Sequence, residues 1–251
     1  DGEFGTSAGG SLNAIPGVSE QLVALSPTAV SVAPDLSAAA SLHSSGVSWV
    51  TGGQSLVIDN RSGLLAPSLD LLGYVWTYSS VDPDEIVVTK PGTRLSELTL
   101  NWLDDFSVNA IRVSTGGNRL AVLVNAGGAT EVRVVGIVRD ETGAPVGFTE
   151  TATLQLSELG APIDIDWSSD NRFVLLSETG LLGGSAKVTI GEVSGRFPVV
   201  SGSVSGGVSI SSGGSSRSLM RVLDEQHRMF KPQGSGWQQL MAGVDLVAKV
   251  G

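Results

Sequence analysis

Five times along the chain a short polar turn is followed, a few residues on, by a short and largely apolar run. The pairs are Ala33-Pro34-Asp35 before Ala38-Ala39-Ala40, Ser68-Leu69-Asp70 before Tyr74-Val75-Trp76, Ser114-Thr115-Gly116 before Leu120-Ala121-Val122, Ser168-Ser169-Asp170 before Phe173-Val174-Leu175, and Ser211-Ser212-Gly213 before Ser218-Leu219-Met220. The third residues of these turns are separated by 35, 46, 54 and 43 positions. A blade of four antiparallel strands takes about 40–50 residues, and so small a sheet buries its apolar faces only against copies of itself. The repeat therefore predicts an all-β chain folded as a β-propeller of five blades. Six is the alternative if the long stretch between Gly116 and Asp170 hides another sheet, and a two-layer β-sandwich of similar short strands is the competing architecture.

Within the repeats, Arg119 to Val124 and Glu131 to Val138 read as strands joined through Asn125 to Thr130 as a hairpin. Ile163, Ile165 and Trp167 alternate with Asp164 and Asp166, the period of a strand with one apolar face and its carboxylates in solvent. Propellers commonly close by bringing both ends of the chain into one blade. Gln21 to Leu25 and Asp245 to Val250 are the strands available for that closure. Gly202 to Gly214, rich in Gly and Ser, reads as turn and linker. Residues 1–6 resemble a translated cloning scar and 7–20 a linker, which leaves 21–251 for the propeller.

The composition removes several function classes. Fifteen Lys plus Arg against 25 Asp plus Glu leave a net charge of −10, which repels phosphate backbones, so nucleic acid is not an expected partner. With no cysteine there is no thiol nucleophile and no cysteine-ligated zinc. No apolar run approaches the roughly 18 residues needed to span a bilayer. The one Gly-x-Ser-x-Gly match, Gly5-Thr6-Ser7-Ala8-Gly9, lacks the strand before it and the helix after it that a nucleophile elbow needs.

The two histidines leave little acid-base or metal chemistry, and His43 reads as an exposed turn residue. Asp164, Asp166 and Asp170 lack the spacing of a calcium loop. Asp82, Asp84, Asp104 and Asp105 are carboxylates of the kind glycosidases pair, but they sit in turns, where such side chains usually bond local backbone. Trp49, Trp76, Trp102, Trp167 and Trp237 are spread over the repeats, as packing between blades requires. The expectation is no catalytic set, no metal and no cofactor. The feature left over is a basic stretch in an acidic chain, Arg217, Arg221, His227, Arg228 and Lys231, taken as an electrostatic contact for an acidic partner.

Two segments resemble the actinobacterial LpqB lipoprotein family. The first is Leu64 to Thr77, which joins Pro67-Ser68-Leu69-Asp70 to Val75-Trp76-Thr77. The second is Asn109 to Val122, where a Ser-Thr-Gly-Gly turn precedes Arg119-Leu120-Ala121-Val122. The chain departs from the family pattern at Leu69, where a tryptophan is often found, and at Gly116, where the turn aspartate would sit. The resemblance implies a monomeric, non-enzymatic interaction domain of a cell-envelope lipoprotein, lipid-anchored through a segment upstream of this chain. It also implies a role as accessory to a sensor histidine kinase of the MtrA/MtrB two-component type, the partner being the kinase's extracellular region. The alternatives are an envelope enzyme acting on glycan or peptide, and a module that binds a cell-wall ligand without turnover.

Overall fold

The computed structural model describes residues 5–8, 11–14, 17–93, 95–126, 129–154, 160–179, 184–194, 199–214 and 216–250. A hairpin of β1 (Gly5–Ala8) and β2 (Ser11–Ala14) comes first, within residues read from sequence as scar and linker, and a short helix α1 (Ser19–Leu25) follows across the boundary read at residue 21. Five antiparallel sheets follow in chain order. Blade 1 is β3 (Ala29–Val32), β4 (Ala38–His43), β5 (Gly46–Thr51) and β6 (Gln54–Asp59). Blade 2 is β7 (Ser68–Leu69), β8 (Val75–Tyr78), β9 (Ile86–Thr89) and β10 (Ser96–Leu98). Blade 3 is β11 (Ser107–Val113), β12 (Arg119–Ala126), β13 (Ala129–Arg139) and β14 (Pro145–Leu154). Blade 4 is β15 (Pro162–Ser169), β16 (Arg172–Glu178), β17 (Ser185–Glu192) and β18 (Val199–Ser205). Blade 5 is β19 (Gly207–Ser212), β20 (Met220–Asp224), β21 (Arg228–Gln233) and β22 (Gly236–Ala242). A last strand, β23 (Lys249–Val250), returns to blade 1 and lies parallel to β3.

All five turns marked in the sequence join the first strand of a blade to its second. The wide 116-to-170 interval holds no sixth sheet, because 11-residue β13 and 10-residue β14 take up its length. The ring arises because the middle of each sheet is apolar on both faces. Along β12, Leu120, Val122 and Val124 pack with Trp76, Tyr78 and Ile86 of blade 2, while Ala121 and Leu123 pack with Ile165, Trp167 and Phe173 of blade 4. Along β16, Phe173 and Leu175 face blade 3, and Val174 and Leu176 meet Ile210 and Val222 of blade 5. A sheet apolar on both faces is stable only between two others, and repetition of that demand closes a circle.

The seam between blades 5 and 1 is built differently. Val18 at the N-cap of α1 and Leu22 within it, with Leu246 and Ala248 of the returning chain, cover Val30, Val32, Ala39 and Val50 of blade 1. Gln21 to Leu25, expected as a closing strand, is therefore helical. A five-residue apolar run does not distinguish the two states by period, and burial of Val18 and Leu22 one turn apart selects the helix. Ser26, in the left-handed region at φ 50, ends it ahead of Pro27. Gly202 to Gly214 is corrected as well: it runs through the outer strand β18 and the inner strand β19. Small residues belong there, since a Cβ on Gly207 would come within 3.0 Å of Ala186 Cβ.

Neighbouring inner strands are tied by side chains reaching across to the next strand. Ser31 Oγ accepts from Leu69 N (3.0 Å), Ser68 Oγ accepts from Val113 N (2.9 Å), and Trp167 Nε1 donates to Arg112 O (2.8 Å). Asp164 and Asp166 each accept an amide of β19, from Ile210 (2.9 Å) and Ser212 (2.7 Å), and Ser211 Oγ donates to Ala248 O (2.7 Å). Four of the tryptophans contribute to the packing: Trp76 and Trp167 are fully buried, and Trp102 and Trp237 bond across seams to Thr151 Oγ1 and Ser201 O.

The turns add a second set of ties. Asp70, fully buried, accepts from the amides of Leu72 and Tyr74 and from Trp76 Nε1, and Arg139 of blade 3 closes on it at 2.6 Å. Gly116, which departs from the family's turn aspartate, makes room for Asp170 of blade 4. The carboxylate accepts from Gly116 N (2.9 Å) and Asn118 Nδ2 (2.6 Å), and a Cβ at Gly116 would lie 2.4 Å from Asp170 Oδ2. Arg139→Met should leave Asp70 as a buried charge without its counter-ion and lower the unfolding free energy by about 3–5 kcal/mol in urea titrations. Adding Asp70→Asn should recover part of that loss.

Candidate functional site

β15 is the inner strand of blade 4, and its alternate residues face the blades on either side. Asp164 and Asp166, two positions apart, face β19 of blade 5, while Ile165 and Trp167 pack against blade 3. Both aspartates are buried, which corrects the expectation of a solvated carboxylate face. A strand enclosed on both faces shows the same period as one half in water.

Two cations meet these acids. Lys249 Nζ, carried in by β23, lies 2.5 Å from Asp164 Oδ2 and also donates to Ile210 O. Arg112 of blade 3 places its guanidinium 3.6 Å from Asp164 Oδ1 and donates to Ile111 O and Ala66 O. Asp164 further accepts from Ser209 Oγ (3.0 Å). Burial pushes the Asp164 carboxyl up, but Lys249 and then Arg112 outweigh it and hold the group below the usual carboxylate range. At Asp166 burial prevails over Lys249, the Ser212 amide and Arg112, and raises the group to about 6. At the mouth of the axis a cavity of about 180 Å³ is lined by Thr28, Ala66, Arg112, Ser209, Asp245 and Lys249.

This set was hidden in the sequence because its members lie on three separate segments, 112, 164–166 and 249, joined only by closure of the ring. The signal present was an inner-strand alternation with acids where apolar residues would be expected. Chemically, the pair offers one ionised carboxylate and one that titrates near neutrality, both already engaged by groups of the ring. Among the described residues no three His, Asp or Glu side chains gather as a metal site. Asp170 stands apart at its turn, so the three aspartates considered for calcium do not converge. Asp82 faces Arg61 (3.7 Å) in the β8–β9 loop, and Asp104 and Asp105 lie between β10 and β11. His43, expected to be exposed, is half-buried at the end of β4 with Nε2 2.7 Å from Ser48 Oγ on the paired strand.

A second concavity, of about 490 Å³, opens between blades 1 and 2 on the face carrying the marked turns. Trp49, Pro34, Asp35, Leu71, Leu72 and Lys90 line it. Leu71 and Leu72 are 59% and 42% exposed, large apolar side chains side by side on a turn held rigid by Asp70. Lys90, on the blade 2 side of the groove, donates to Leu72 O (2.8 Å), its ammonium 5.2 Å from the Tyr74 ring centre.

The basic stretch is spread over blade 5. Arg217, in the turn before β20, donates to Ser201 Oγ, Ser201 O, Gly234 O and Gly236 O, and so clasps blade 4 to blade 5. Arg221 donates to Ser218 O and Met220 O, and burial lowers its pKa. At the other end of the blade Arg228 closes on Asp224 at 2.6 Å, and His227, at φ 59, lies 3.3 Å from exposed Asp245. Lys231 is on β21 between these ends.

Residues 2–246 match the family model Gmad1, the lipoprotein LpqB beta-propeller domain, and the chain belongs to that family. Among solved structures, a nidogen/laminin complex superposes with a TM-score of 0.58 at 12% identity, over 86% of this chain and 79% of that one. The Cps50 (Swd1) beta-propeller domain of Myceliophteria thermophila gives 0.52 at 13% identity, over 83% and 67%. At such identity these likenesses concern the fold alone. A search for relatives among curated proteins gave no match.

Because Asp166 is raised to about 6 in the fold, the native ring takes up a proton that the unfolded chain releases near pH 4. Its contribution is therefore most favourable at acidic pH and declines as pH rises through 6. Asp166→Asn, which keeps an acceptor for the Ser212 amide, should flatten the dependence of Tm on pH between about 4 and 6.5. At pH 7.5 it should equal or exceed the parent by on the order of 2 kcal/mol. Melting curves at several pH values check this, and an unchanged slope contradicts it.

Proposed function

We propose that this LpqB-type propeller is a non-enzymatic interaction domain of a lipid-anchored envelope lipoprotein, accessory to a two-component sensor kinase of the MtrA/MtrB type. The observation that carries the reading is the use made of the buried acids. A glycan- or peptide-cleaving site needs carboxylates open to substrate. Here Asp164 and Asp166 are consumed by Lys249, Arg112 and the amides of β19. What the ring offers outward is a rigid disc with side chains on short turns, the usual setting for protein recognition.

The partner surface in this reading is the groove between blades 1 and 2, where Leu71 and Leu72 supply apolar anchors beside Trp49 and Lys90. Arg217, Arg221 and Arg228 spend donors inside the domain and His227 faces Asp245, which leaves Lys231 for any contact through blade 5. Among the described residues no helix is long and apolar enough to cross a membrane, in keeping with attachment by lipid.

Binding of the purified domain to the extracellular region of its cognate sensor kinase, followed by calorimetry, tests the proposal. Leu71→Glu with Leu72→Glu should weaken the complex at least tenfold, and Lys231→Glu less than threefold. The reverse order would move the contact to blade 5. Absence of binding by the parent domain, or turnover of wall glycan or peptide by it, would contradict the reading.

A further inference from the structure

Each of β7, β11, β15 and β19 has a single backbone partner, the second strand of its own blade. The first strand of blade 1 differs, since its free edge carries β23, and that pairing is minimal: Lys249 opposite Ser31 and Val250 opposite Val32, in parallel. The segment leading to it is held without strand pairing, by Leu246 and Ala248 on the apolar cluster of blade 1 and by a few polar contacts. Gly243, at φ 72, has open space where a Cβ would stand, and residues 243–248 form no strand. Their polar anchors are Val244 N on His227 O (3.0 Å), Ala248 O on Ser211 Oγ, and the exposed His227–Asp245 pair. The segment also borders the cavity at the mouth of the axis.

What this segment, with only two residues of strand pairing, delivers is a strongly demanded group. Without the Lys249 ammonium, Asp164 and Asp166 would confront each other with Arg112 as the one nearby cation, itself 3.6 Å from Asp164. An uncompensated buried charge costs far more than two residues of strand pairing. The acceptors at the socket floor, Asp164 Oδ2 and Ile210 O, converge on one nitrogen, which suits the point charge of an ammonium and not the broad fork of a guanidinium. The edge of β3 beside it accepts a short parallel strand, the arrangement by which sheets bind extended peptides.

We propose that the axis of the ring is a binding site for a lysine side chain presented on an extended peptide, and that residues 244–250 are a tethered ligand holding the site in cis. Tethering gives the tail an effective concentration in the millimolar range, so a peptide supplied in trans gains entry only when the tail is released. The socket is distinct from the groove between blades 1 and 2, and its assignment does not depend on the identity of the kinase partner.

A protease recognition sequence inserted between Ala242 and Gly243 of the full chain, cut after folding, exposes the site to test. The probe is a fluorescent peptide with the sequence of residues 243–251, Gly-Val-Asp-Leu-Val-Ala-Lys-Val-Gly. It should exchange into the cut protein with saturable affinity, and versions with Lys→Met or Lys→Arg should bind at least 30-fold and tenfold more weakly. The uncut protein should show no measurable exchange. If cutting unfolds the ring, the lysine peptide should restore its circular dichroism and tryptophan fluorescence, and the Lys→Met peptide should not. Equal binding or rescue by the Lys→Met peptide, equal binding by uncut protein, or no binding and no rescue would overturn the proposal.

Discussion

A carboxylate held at the centre of a ring of apolar sheets has few ways to keep its charge. Asp164 keeps it because Lys249 comes from the end of the chain and Arg112 from blade 3 to meet it inside the axis. That single requirement links the last residues of the chain to blades 3, 4 and 5 and, through β23, to blade 1. It also explains why the closing strand can be so short. Two ladder positions contribute little, while leaving Asp164 unpaired would be prohibitive, so charge fixes what backbone pairing alone would leave loose.

Around that centre the remaining seams follow one rule. Inner strands of neighbouring blades are bridged by side chains, from Ser31 and Ser68 on one side of the ring to Asp164, Asp166 and Ser211 on the other. Each such bond satisfies an edge amide or carbonyl that would otherwise be buried without a partner. At larger radius, apolar faces of adjacent sheets interdigitate, and the turn ties of Asp70 with Arg139 and Asp170 with Gly116 lock one blade to the next. The result is a stiff disc whose face carries Leu71, Leu72, Trp49 and Lys90 in fixed positions. A stiff scaffold lowers the ordering cost of association, which is why this geometry suits recognition.

Most of the architecture was legible because the propeller repeat is written locally. The five polar turns mark first-to-second strand connections, since a tight turn constrains residue type wherever it occurs. Gln21 to Leu25 misled because a single helical turn and a short buried strand present the same apolar run. Gly202 to Gly214 misled because crowding between blades 4 and 5, where Gly207 meets Ala186, Val222 and Leu176, selects small residues that elsewhere mark linkers. The acids of β15 were visible as an alternation, yet which side of a strand meets water is a property of its neighbours. The basic stretch of blade 5 was likewise visible as charge, but Arg217 and Arg228 turn out to hold strands and turns together. Lys249 had no local signal at all, as its partner is 85 residues away.

The account stands or falls on whether Asp164 and Lys249 hold the ring together as a pair, and a double-mutant cycle of Asp164→Asn and Lys249→Met, followed by unfolding free energy, tests that most directly. The single changes should each cost about 3–5 kcal/mol, and the double change at least about 2 kcal/mol less than their sum. Strict additivity would show that the two side chains do not depend on one another, and would contradict closure of the ring by charge at its axis.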